Sequence, residues 1–84
     1  MALPTKAKSR LEGIQRLMRS PSSTEVKAAG VLMREVANDT EVAHDIRQEA
    51  SVRAGDLSAP PTSENASRRE EAMARAFAFC VRNV

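Results

Sequence analysis

Glu64-Asn-Ala-Ser-Arg-Arg-Glu-Glu-Ala-Met-Ala-Arg-Ala-Phe-Ala-Phe-Cys-Val-Arg-Asn-Val84 is the stretch on which the fold turns. It holds both phenylalanines of the chain and its only cysteine. At about 100° per residue, Ala66, Met73, Ala76, Phe77, Cys80 and Val84 fall on one side of a helix. Ala72 and Phe79 widen that side until the second half is apolar around most of its girth. An ordinary surface helix needs a stripe of only about 100°. The pattern therefore predicts a longer, apolar C-terminal helix over residues 63–82, against which the other helices pack. Phe77 stands at the centre of its Met73–Phe77–Cys80–Val84 face and Phe79 on the flank nearer Ala72. On this reading Phe77 anchors the core, and Phe79 packs across an interface.

Upstream lies the one clear linker, residues 55–62, where Pro60-Pro61 forbids helix and Thr62 or Ser63 can cap the C-terminal helix. Before it, Val42, Ala43, Ile46 and Ala50 make a thin apolar stripe for a helix over residues 40–54, with Gly55 in the position of a C-terminal stop. Val26, Ala29, Gly30, Leu32, Met33, Val36 and Ala37 form a broad face over residues 23–37, opened by the capping-box pattern Ser22-Ser-Thr-Glu25. Ala29-Gly30 is a small-residue patch that lets a neighbouring helix come close. Val42 and Ile46 are out of phase with Val26 and Met33, and Asn38-Asp-Thr-Glu41 is a second capping-box pattern, so a break is expected near Asn38–Asp39. The alternative is one uninterrupted helix to Ala54 with partners on both sides. The first helix, about 6–19, carries Ala7, Leu11, Ile14, Leu17 and Met18 at helical spacing, with Thr5 able to cap it and Ser20-Pro21 to end it. The expectation is an all-α fold, a small bundle of about four helices in one domain spanning residues 1–84.

A chain of 84 residues buries only about 60–65% of its unfolded surface. Here many of the apolar side chains are alanine, and there is no Trp or Tyr. A lone cysteine closes no internal disulfide, and one histidine with one cysteine does not make a four-ligand zinc site. Self-association or a protein partner is the remaining route to extra burial, so a homo-oligomer is expected. The net charge of +2 implies no partner by itself, but its distribution is uneven. Residues 1–22 set Lys6, Lys8, Arg10, Arg16 and Arg19 against Glu12, while residues 23–57 sum to −3. Glu41, Asp45 and Glu49 form an acidic row at i, i+4, i+8, and the Lys8–Arg16–Arg19 side of the first helix is its expected complement. No apolar run reaches the length of a membrane span, no signal-peptide core is visible at the N-terminus, and a single thiol in an apolar stripe suits a reducing cytoplasm.

Residues that could carry chemistry are few and isolated. His44-Asp45 shares two letters with the metal-binding dipeptide of phosphohydrolases, but that chemistry needs further His and Asp ligands and there is no second histidine. The helical neighbours of Cys80 are Ala76, Phe77 and Val84, which raise a thiol pKa rather than lower it. The three glycines are isolated, so no phosphate-cradling loop exists. No cofactor, metal or enzymatic activity is expected. Two function classes remain. The first is a small binding or regulatory protein acting by protein–protein association through Met73, Phe77, Phe79 and the charged rows, in the manner of an inhibitor, adaptor or antitoxin. Many such small proteins come from phages and mobile elements. The second is a nucleic-acid-binding regulator with a helix-turn-helix-like unit at residues 23–54 and a basic first helix on phosphate. The acids of the would-be recognition helix argue against the second.

Overall fold

Pro4 opens the first helix. Its φ of −54° and ψ of 145° place it in the N-cap position without a side-chain bond, and its carbonyl accepts the Lys8 N–H at 3.0 Å. Thr5 is therefore the first helical residue and not the cap, because proline's locked φ already supplies the geometry. The computed structural model describes residues 3–19, 22–58 and 66–84, and among these it forms four helices and no strand. They are α1 (Thr5–Met18), α2 (Ser23–Ala37), α3 (His44–Ser58) and α4 (Ala66–Asn83), the last being the longest at 18 residues. Ser20-Pro21, Pro60-Pro61 and the Thr62/Ser63 cap lie outside the described residues.

α2 begins as its sequence implies, with Ser22 Oγ accepting the Glu25 N–H at 3.3 Å. It ends at Asn38, so residues 23–54 are two helices and not one. The second capping box does not form. Asp39 turns the chain instead: its Oδ1 accepts the Glu41 N–H at 3.0 Å and its carbonyl accepts the Val42 N–H at 3.1 Å. A short aspartate side chain satisfying backbone two residues on is a familiar turn device. It delays α3 to His44, four residues later than expected, and tucks Val42 into the interior. Gly55 is a second correction. It sits inside α3 with no positive φ, and the helix runs on to Ser58 because Leu57 is buried and needs the extra turn.

α2 and α3 form the most extensive pair. Arg47 Nε donates to the Ala37 carbonyl at 3.1 Å, Arg34 reaches Ser51 Oγ at 3.4 Å, and Gly30 lies against Leu57. Partners advance along α3 as α2 is followed backwards, which makes the two an antiparallel hairpin. Arg47 also places a cation on the carbonyl end of α2, where the helix dipole is negative. α1 runs antiparallel to α2 on another side: Arg10 Nε meets Glu35 at 2.9 Å, and Gly13 faces Leu32 one turn further along. α4 then closes the bundle against α1 and α3. The expectation that α4 is the central helix is therefore overturned. α2 is the hub, because Val26, Ala29, Gly30, Met33 and Val36 are all buried and Leu32 and Ala37 half-buried on its flanks.

One contiguous core joins the four helices through Leu11, Ile14, Met33, Leu57, Phe79 and Cys80, with smaller residues between them. Among the described residues, six of the sixteen buried apolar side chains are alanine, so the helices must approach closely for the core to close. They do: the radius of gyration is 12.0 Å, near the ~12 Å of a compact domain this long. No described helix is long and apolar enough to cross a membrane.

The two glycines of the hairpin give opposite expectations. A Cβ on Gly55 meets nothing within 4 Å. Gly55→Ala should therefore stabilise by about 0.8–1 kcal/mol, or roughly 4–8 °C in Tm. A Cβ on Gly30 would already touch Leu57 Cβ at 3.5 Å. Gly30→Leu should force the hairpin apart and cost about 1–3 kcal/mol by overpacking. Thermal melts of both variants check the pair.

Candidate association surface

α4 has two apolar sides, and the structure assigns them differently from the expectation. Ala72, Ala76, Phe79 and Cys80 are buried, Met73 and Arg69 half-buried, and Asn83 closes the same face by donating its Nδ2–H to the Phe79 carbonyl at 2.8 Å. Phe79 is fully buried and is the largest such side chain among the described residues, whereas Phe77 is 38% exposed. The roles expected of the two rings are exchanged: Phe79 is the core anchor, and Phe77 is the ring left outside. The inward arc is centred roughly 100° around the helix from Phe77. The reason is steric. With Ala72 and Ala76 beside it, a single ring at position 79 enters a core lined by alanines, and Met73 packs half-buried at the edge of the same face.

The outward side of α4 consequently carries Ala74, Phe77, Ala78 and Val81, all exposed, and the exposed Val84 follows the end of the helix. Val81 is 52% exposed. This strip is bordered by charge: Glu70 and Glu71 towards its N-terminal end, Arg75 and Arg82 further along. Arg75 and Glu71 pair along the helix, and Arg82 reaches across to Glu49 of α3 at 2.5 Å. Ala74, Ala78 and Val81 carried no expectation from sequence. Their signal was present only as an excess of apolar residues around the helix, which does not say which arc faces out.

The other expected site residues are dispersed. Lys8, Arg16 and Arg19 are exposed on α1 and at its end, and Glu41 and Asp45 are exposed before and at the start of α3. Among the described residues, none of the ion pairs joins these two rows. The basic and acidic segments do meet, but through Arg10, which lies 2.9 Å from Glu35 and 3.7 Å from Asp39. Glu49 leaves the acidic row for Arg82. Spacing within a helix could not reveal Arg10–Glu35–Asp39, since those residues come from three separate segments. They line a shallow polar depression with Lys6, Asn38 and Glu41. Its charges are largely compensated, so it offers no concentrated field for a ligand.

His44 is exposed in the first turn of α3. Among the described residues, no cluster of three His, Cys, Asp or Glu side chains could hold a metal ion. Cys80 is fully buried, and desolvation pushes its thiol from 9.0 up to about 12. At neutral pH it is a protonated core side chain and not a nucleophile. Comparison with known proteins finds no family model, no curated protein and no solved structure that this chain matches.

Two measurements test this assignment. Phe79→Ala removes a ring from a core with little else of its size. It should cost about 3–5 kcal/mol and abolish or sharply lower the cooperative melt, while Phe77→Ala should melt close to the wild type. For Cys80 the folded protein keeps the thiol proton at a pH where the unfolded chain releases it. Stability should therefore fall as pH rises from about 9 towards 12. Cys80→Ala should lack that component of the alkaline decline, as read from melting curves of the two proteins over that range.

Proposed function

We propose that the chain is a small non-enzymatic protein that works by protein–protein association, occupying its partner as an inhibitor, adaptor or antitoxin does, in a reducing compartment such as the cytoplasm. The observation that carries this reading is the apolar strip on α4. A chain with two phenylalanines leaves one of them outside, in line with Val81 and Val84 and edged by charge. Monomeric surfaces carry scattered apolar residues without consequence. An aligned set bordered by polar side chains is the usual mark of an interaction site. Aromatic side chains at the centre of such a patch contribute most to affinity.

The nucleic-acid reading has less behind it. The connection between α2 and α3 takes six residues, where a helix-turn-helix uses about three or four. α3 turns Asp45 and Gln48 outward, Arg47 is engaged by the Ala37 carbonyl, and Arg53 lies 3.5 Å from Asp56. Few cations remain there to meet phosphate.

The test uses immobilised wild-type protein and the single variants Phe77→Glu and Val81→Glu, each incubated with lysate with and without nuclease. Both substitutions are at exposed positions, so their melts should stay within a few degrees of the wild type. The captured partner should survive nuclease and be reduced at least tenfold by either variant. A complex that disappears with nuclease, or that ignores both variants, would overturn the reading.

A further inference from the structure

We infer that the α4 strip is made to receive a second copy of itself, helix against helix, antiparallel about a two-fold axis level with Phe77. This rests on the reading of α4 as the association surface and names its occupant. Along the outward side, the strip runs Glu70 and Glu71, then Ala74, Phe77, Ala78 and Val81, then Arg82, all exposed. Acid stands at one end, base at the other, and the apolar part between them.

Such an order is complementary to its own reverse. The midpoint of Ala74 and Val81 and the midpoint of Glu71 and Arg82 fall within one residue of each other, about 1.5 Å along the helix. One antiparallel axis therefore matches the apolar parts and the charges together. Glu71 and Arg82 also lie on the same flank of the strip, about 20° apart around the helix. In an antiparallel pair a flank meets the same flank of its partner, so Glu71 of each copy comes to Arg82 of the other. The contacts already made within one chain extend this into a row. Glu49 holds Arg82, Arg82 meets the second copy's Glu71, and that Glu71 holds its own Arg75. Charges alternate along the row, and the two-fold axis generates it twice. A parallel pair brings Glu70 beside Glu70 and sends Glu71 and Arg82 of the two copies to opposite flanks, where they do not pair.

Shape agrees with charge. Phe77 is level with the axis, so the two rings meet across it, with Ala74 one turn earlier and Ala78 beside it leaving low surface next to each ring. The area is limited. A helix of 18 residues is about 27 Å long, and one face of it places the contact at the lower end of stable interface sizes, near 1,000 Å² in total. Dimerisation is accordingly weak and concentration-dependent, and the charged rows make it sensitive to salt.

The experiment combines mass with cross-linking on the full chain. Light scattering should show the mean mass rising towards twice the monomer with concentration, and falling back for Phe77→Glu and on adding salt. For orientation, single cysteines are introduced while the native Cys80, buried and unreactive, is retained. Ala78→Cys lies close to the axis and should form a disulfide-linked dimer with itself under mild oxidation. Glu70→Cys lies about 20 Å from its own copy on this geometry and should not. Mixed with Val84→Cys, it should give the cross-linked heterodimer. Wild type and Val31→Cys, on the exposed side of α2, serve as controls. Three results overturn the proposal: a monomer at every concentration, a dimer indifferent to Phe77→Glu, or self-linking at position 70 as fast as at position 78. A wild-type monomer whose capture of another protein is still lost in Phe77→Glu ends self-pairing but leaves the α4 surface standing. A dimer cross-linking as stated while lysate capture ignores Phe77→Glu ends the other reading and keeps this one.

Discussion

The burial of Phe79 is the constraint on which the rest depends, because it sets the rotation of α4 about its own axis. A core in which alanine is the commonest member has room for one large ring at the α4 position, and Phe79 fills it. Once that ring is inside, Ala72, Ala76 and Cys80 must follow it inward, and Ala74, Phe77, Ala78 and Val81 must face water. The exposed strip is thus a consequence of how the core closes. The same rotation carries Arg82 to Glu49 and ties the end of α4 to α3. The buried side of the helix and the apolar strip on its outer side are two results of one packing event.

Much of the architecture was legible because periodicity and capping chemistry are local. The four helices, the break after Asn38 and the Ser22 cap all depend on residues within a few positions of one another. Gly30 against Leu57 was legible in kind, as a small patch inviting a close neighbour, though not which neighbour. The features that escaped depend on longer-range contacts. The extra turn of α3 beyond Gly55 exists because Leu57 has a place in the core, and only the tertiary structure supplies that place. The hub position of α2 rests on how extensively it packs on both of its neighbours, a property no single helix displays. Arg10 with Glu35 and Asp39 was legible as opposite charge between segments, but the pairing itself was not.

Phe77 and Phe79 exchanged places for a different reason. On a helix apolar around most of its girth, summed hydrophobicity points almost equally to several arcs, so the largest side chains do not determine which faces inward. Phe79 has Ala72, Ala76 and Cys80 on its side, whereas Phe77 lies in line with Val81, beside Ala74 and Ala78. A closely approached helix needs one ring among small residues, and interiors packed to crystal-like density do not absorb extra bulk cheaply.

The same packing divides the apolar residues of the molecule between the core and the exposed strip. Fully burying a side chain such as Phe contributes about 1.5–3 kcal/mol, and domain stabilities are only about 5–15 kcal/mol in total. Phe77 keeps 38% of its surface exposed, which forgoes roughly 1 kcal/mol of the burial open to a thin core. No rotation of α4 recovers it, since turning Phe77 inward turns Phe79 outward. The ring at position 77 can be covered only from outside, by another surface laid along α4. In a chain with so little apolar bulk, the exposed strip on α4 and the shortfall in core burial have the same origin.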